Sequence, residues 1–251
     1  MPNCLQSNSS LKSNQQTPLK PMPVYLLSEA LIFPHPRLAS REGLLAVGGD
    51  LSPERLLSAY DQGIFPWFSD GEPILWWSPD PRLVLFPHEF KVSKSLKKIL
   101  NRSQFDITID GAFRRVITDC AGTRMAQKEP TWIVGDMIDA YCRLHESGFA
   151  HSVEAWQNGA LVGGLYGVSL GKCFFGESMF SAVSNASKVA FAWLVDFLTS
   201  HAFHMIDCQV TTMHLVSLGA KEIPRDRFLT LLQTALKEPT MKGKWQYRAG
   251  L

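Results

Sequence analysis

The run from Lys188 to His201, KVAFAWLVDFLTSH, is apolar nearly all round. A helix with no polar face has to be buried on every side, so other elements must wrap around it. It leads into Met205-Ile206-Asp207-Cys208-Gln209-Val210, whose alternation predicts a strand. Side chains alternate along a strand, so Ile206, Cys208 and Val210 share one face and Asp207 and Gln209 the other. A carboxylate and an amide thus stand side by side behind a buried helix. Placed inward, such a pair is hydrogen-bonded or working, because an unpaired buried carboxylate is costly. Placed outward, it is the wet face of an edge strand.

Such a helix needs a core. Of the 251 residues, 45% are hydrophobic and 19% charged, enough for one large domain or two modest ones. A net charge of +2 does not announce a nucleic-acid binder, so any basic patch must be local. Cys4, Cys120, Cys142, Cys173 and Cys208 are scattered and form no CxxC, which argues against zinc and against a disulfide framework. A reducing compartment is expected. No apolar run reaches membrane-spanning length, and the start lacks the apolar core of a signal peptide. The expectation is therefore a cytoplasmic protein with no membrane contact. Gly48-Gly49 and Gly163-Gly164 belong to no phosphate-binding pattern and read as turns or bulges.

In chain order, residues 1–22 are polar and read as a disordered tail. A small α/β unit is expected over 23–80. In it a strand over 43–50 precedes a helix with Ser52 as N-cap, Pro53 at its first position and Gly63 at its end. Phe65, Trp67, Phe68, Trp76 and Trp77 then crowd a proline-broken stretch. Most should be core; a ring on a loop is a platform for stacking a base. A larger unit is expected over 81–238. Lys91, Lys94 and Lys98 fall at helical spacing and form the densest basic patch, either a solvated face or a phosphate contact. Asn158-Gly159 between apolar runs predicts a hairpin, and a strand through Phe174, Glu177 and Met179 follows. Ser184 or Ser187 can cap the buried helix. Residues 239–251 read as a loose basic tail.

This order is α+β with a mixed sheet. It resembles the GNAT acyltransferase fold, in which an acyl donor enters a split between two neighbouring strands at the start of the central helix. Those strands would carry Glu177 and Asp207. The segment 181–188, SAVSNASK, lacks the glycine-rich loop of acetyl-CoA enzymes, which argues against that donor.

The wording is more specific still. GGDLSPERLLSAYDQGIFPWF, ILWWSPDPR, GGLYGV, FFGESMF, SNASK, IDCQV and SLGAKEIPR, spread from about Phe33 to about Phe228, together resemble the leucyl/phenylalanyl-tRNA–protein transferase family. The polar N-terminal extension and Thr211-Thr212-Met213 depart from its pattern. The resemblance implies transfer of Leu or Phe, and less well Met, from aminoacyl-tRNA to the N-terminal amine of proteins that begin with Arg or Lys. That marks them for degradation by the N-degron pathway. No cofactor or metal is implied, and a monomer is expected. Asp207 and Gln209 are the expected catalytic pair: Asp207 is either a base whose carboxyl burial raises, or it bonds and orients Gln209, whose carbonyl oxygen receives the amine, and the second is the expectation. Glu177 would meet the acceptor's basic side chain, the alternative being an ion pair with Lys188. Leu165, Phe174, Met179 and Ile206 would line the aminoacyl pocket. Trp67 and Trp132, with Tyr60 and Tyr141, would hold the terminal adenosine of tRNA. Lys91, Lys94 and Lys98 would contact its backbone.

Three other readings use the same residues: an acetyl-CoA N-acetyltransferase, a peptidoglycan-type aminoacyl-tRNA ligase, and a non-catalytic RNA-binding protein on an acyltransferase scaffold.

Overall fold

A computed structural model describes residues 24–126 and 131–246. The expected tail over 1–22 lies outside them. The N-terminal part holds β1 (Tyr25–Leu27), β2 (Leu44–Gly48), α1 (Pro53–Asp61), β3 (Phe65–Pro66) and β4 (Leu75–Trp77). Then come β5 (Arg82–Leu85), α2 (Lys94–Leu100), β6 (Asp106–Ile109), α3 (Phe113–Ala126) and α4 (Gly135–Glu146). The hairpin of β7 (Ala150–Gln157) and β8 (Ala160–Leu170) leads to β9 (Cys173–Ser181), α5 (Ala186–Ser200) and β10 (Met205–Gln209). The last elements are α6 (Met213–Ser217), β11 (Lys221–Ile223) and α7 (Arg225–Ala235).

Local chemistry explains several boundaries. Ser52 Oγ accepts the Arg55 amide at 3.3 Å and Pro53 opens α1, as expected. Asn158 and Gly159 both take left-handed φ, +52° and +76°, which suits a two-residue hairpin turn. The cap of α5 differs from expectation. Asn185 is its N-cap residue in a left-handed conformation, and Ser181 Oγ, not Ser184 or Ser187, accepts the Ser187 amide at 3.2 Å.

The small sheet has the order β1-β2-β4-β3, and the large one β11-β5-β10-β9-β8-β7-β6. In the large sheet β9 and β10 are parallel and the other neighbours antiparallel. A parallel neighbour needs a crossover, and α5 supplies it. One core lies between the large sheet and α5, through Phe174, Phe191, Leu194, Leu198 and Ile206. The other fills the opposite face with residues of α3, α4 and α7, and continues into the small sheet through Tyr60, Ile64 and Trp76. Ala155 faces Gly163 and Trp156 faces Leu161, so Val162 is an extra residue and Gly163 borders a bulge, as expected. It lies within β8, where a Cβ would come 2.5 Å from Ala186 Cβ, so it lets the start of α5 settle on the sheet.

Residues 239–246 are docked rather than loose, and the rest of the expected tail, 247–251, lies outside the described residues. Trp245 is buried, and its amide donates to Asp110 Oδ2 at 2.7 Å. Its ring stacks on His151 with centroids 3.6 Å apart. No helix among the described residues is long and apolar enough to cross a membrane.

Candidate active site

Pairing of β9 with β10 runs from Met205↔Cys173 to Asp207↔Phe175 and goes no further, while β9 continues to Ser181. The strands part there. A cavity of about 430 Å³ opens at the split, and its lining includes Trp67, Trp132, Leu165, Phe174, Met179 and Ile206. Glu177 and Gln209 also line it. Residues picked from distant stretches of sequence therefore meet in one space.

Two irregularities aim the polar pair. On β9, Tyr166 faces Ser178 and Gly167 faces Gly176, so Glu177 is an extra, unpaired residue. This bulge sends Glu177 toward Tyr60 and Tyr141, whereas Met179, two residues on, packs against the α5 core. On β10 the register slips between Asp207 and Gln209, and Gln209 takes φ +61°. Strict alternation would keep Asp207 and Gln209 on one face. The slip instead brings Gln209 to the cavity beside Ile206 and Cys208, while Asp207 stays behind the sheet.

The expected bond from Asp207 to Gln209 is made to the Gln209 backbone and not between the two side chains. Asp207 accepts two hydrogen bonds from Arg82, at 2.8 Å and 2.7 Å, and Oδ1 also accepts the Gln209 backbone N–H at 2.9 Å. Arg82 in turn lies over the rings of Phe65 and Phe228. Neither charged side chain lines the cavity. The physical reason is that a fully buried carboxylate demands a cation, and β5 brings one across the sheet. Asp207 thus acts on the site by holding the backbone that presents Gln209.

Gln209 Nε2 donates to Glu177 Oε1 at 2.8 Å. The same oxygen accepts from the Tyr60 hydroxyl at 2.7 Å, and Oε2 accepts from Tyr141 at 3.1 Å. The two hydroxyls also touch each other. Burial pushes the Glu177 carboxyl up to about 7, against the opposing pull of these three donors. It raises both phenols as well. The alternative ion pair between Glu177 and Lys188 is not formed. With both oxygens occupied and 8% exposure, Glu177 offers little room for a long basic side chain.

Tyr60 and Tyr141 are fully buried behind Glu177 and do not line the cavity, which corrects their expected place beside an adenosine. Trp67 and Trp132 do line it, with ring centroids 5.6 Å apart and nearly perpendicular. Trp77 supports Trp67 by donating from Nε1 to its carbonyl at 2.7 Å, and Trp76 lies in the core. Lys91, Lys94 and Lys98 are exposed and away from the cavity lining. Lys91 precedes α2, so only Lys94 and Lys98 share a helix face.

Sequence reasoning missed Phe191 and Leu194, which face the cavity from α5, and His214 on α6. The all-round apolarity of α5 hid which of its faces meets a cavity. Cys208 also lines the site, but burial, then the Asp207 charge, pushes its thiol well up, so it stays protonated and is no nucleophile.

A family profile described as leucyl/phenylalanyl-tRNA protein transferase matches residues 84–233, and one for the N-terminal domain of that protein matches residues 49–80. A protein of that name from Desulfatibacillum aliphaticivorans is 63% identical over 224 residues, covering 89% of this chain and 96% of its own. One from Syntrophobacter fumaroxidans is 60% identical over 225 residues, covering 90% and 96%. A third, from Desulforapulum autotrophicum, is 58% identical over 224 residues, covering 89% and 98%. The chain belongs to the leucyl/phenylalanyl-tRNA protein transferase family, whose members are aminoacyltransferases.

Proposed function

We propose that this enzyme transfers Leu or Phe, and less well Met, from aminoacyl-tRNA to the α-amine of proteins that begin with Arg or Lys, marking them for degradation. The observation that carries the reading is the single cavity at the strand split, where an apolar slot, two tryptophans on loops and the Glu177–Gln209 pair converge. The parting of β9 and β10 ahead of α5 agrees with a GNAT-like acyltransferase.

Leu165, Phe174, Met179 and Ile206 receive the aminoacyl side chain. A single methylene is worth only about 1–3 kcal/mol of discrimination, so rejection of β-branched residues rests on a clash near Cβ. Trp67 and Trp132 hold the terminal adenosine, since a base face stacks on either ring. Lys94 and Lys98, with Lys91 nearby, contact the tRNA backbone and make binding salt-dependent. Glu177 is the one carboxylate in the lining and draws a positively charged chain terminus inward. The donor ester is already activated, so the reaction needs positioning and proton removal rather than ATP, metal or another cofactor.

Labelled Phe-tRNA mixed with an Arg-initiated peptide and with a Ser-initiated control tests this. Label is expected in the first peptide only. Label in neither, or equally in both, contradicts the reading. A thermal shift with coenzyme A would instead favour an acetyltransferase.

A further inference from the structure

We propose that Glu177 is the general base of the transfer, and that Tyr60 and Tyr141 are positioning residues that fix its carboxylate from behind. The proposal rests on the transfer reading above.

Geometry leaves few other candidates. Asp207 is closed off by Arg82 on the far side of the sheet. The Cys208 thiol is held protonated. His214 lines the cavity and burial lowers its pKa, but among the described residues no hydrogen bond fixes its ring. Glu177 alone combines a place in the lining with three donors that lock both oxygens: Tyr60 from α1, Tyr141 from α4 and Gln209 from β10. Its bulge exists at no other point of β9.

The chemistry needs a stronger base than an ordinary carboxylate. An α-amine titrates near pH 8, and a group near pH 4 takes its proton poorly. Burial brings Glu177 to about 7, within reach of the amine. The titratable and charged groups around it are Tyr60, Tyr141, Tyr166 behind Tyr141, and Asp207, whose charge Arg82 meets. The amine nitrogen attacks the ester carbonyl carbon and a C–N bond forms. Glu177 takes the N–H proton. The bond to the 3′-oxygen breaks, and the proton passes to that oxygen, leaving a 3′-hydroxyl and an ionised Glu177.

The test is single-turnover transfer of Phe from Phe-tRNA to an Arg-initiated peptide from about pH 5.5 to about pH 8.5, with thermal melts to verify folding. Wild-type rates should rise with pH through a limb near 7. Glu177→Gln should be about 100-fold slower or worse and lack that limb. Tyr60→Phe and Tyr141→Phe each remove a donor to the carboxylate, so the limb should move to higher pH. The acceptor's own titration is common to every variant, so a displaced limb reports on Glu177. A folded Glu177→Gln enzyme with wild-type rate and limb would overturn the proposal. So would tyrosine variants that are slower at every pH with the limb in place. No product from wild type would instead sink the transfer reading, and this proposal with it.

Discussion

Arg82 on β5 reaches Asp207 on the neighbouring strand β10 and closes two hydrogen bonds, Nε to Oδ1 at 2.8 Å and Nη2 to Oδ2 at 2.7 Å. Both side chains are 1% exposed or less. Removing one partner leaves the other charge buried and uncompensated, which typically costs about 3–5 kcal/mol. Asp207→Asn is therefore expected to lose stability of that order in chemical denaturation. Transfer per folded molecule, measured well below the melting temperature, should fall less than about 10-fold, because Asn can still accept the Gln209 amide. A fully stable Asp207→Asn protein without transfer would return Asp207 to a role on the substrate.

Gln209 sits in a left-handed conformation at φ +61°, which costs a residue with a Cβ about 1–2 kcal/mol. Gln209→Gly should relieve that strain and Gln209→Ala should not. Both remove the amide beside Glu177, so both should slow transfer, with the glycine variant melting at the higher temperature. A glycine variant less stable than the alanine one would contradict the account of this backbone.

The contrast between these neighbours shows what the sequence made legible. Alternation over 205–210 announced a strand, and the apolar run before it announced a buried helix; β10 and α5 are those elements. That Trp67, Trp132, Leu165, Phe174, Met179 and Ile206 line one cavity was foreshadowed by motifs that resemble a family. The bulges at Glu177 and Gln209 were not readable, since an extra residue in a ladder depends on the partner strand. Nor was the partner of Asp207, because Arg82 is 125 residues away and reaches it only through the sheet. That Tyr60 and Tyr141 meet behind Glu177 was not readable either, since it depends on how α1 and α4 dock.

The apolar slot makes a prediction about choice of amino acid. Leu165 is buried in the slot wall, opposite Met179 on β9. Leu165→Phe adds volume there, and overfilled sites reject the larger guest first. Competition between Leu-tRNA and Phe-tRNA should shift toward Leu, by about 10-fold for a loss near 1.4 kcal/mol. An unchanged ratio would place the side chain elsewhere.

Trp245 offers a check away from the site. It packs against Phe174, Phe197, Phe203 and His151. Trp245→Ala should cost about 3–5 kcal/mol of stability, read from denaturant midpoints. A neutral effect would mean that residues 239–246 are loose after all.

On the proposed transfer reading, one cavity at the parting of β9 and β10 seats the aminoacyl end of tRNA. A crystal structure with adenosine carrying phenylalanine through a stable 3′-amide tests it most directly. The adenine is expected against Trp67 and Trp132, the phenyl ring among Leu165, Phe174 and Ile206, and the acyl carbonyl beside Glu177 and Gln209. A ligand bound elsewhere, or with the adenine in the apolar slot, would contradict it.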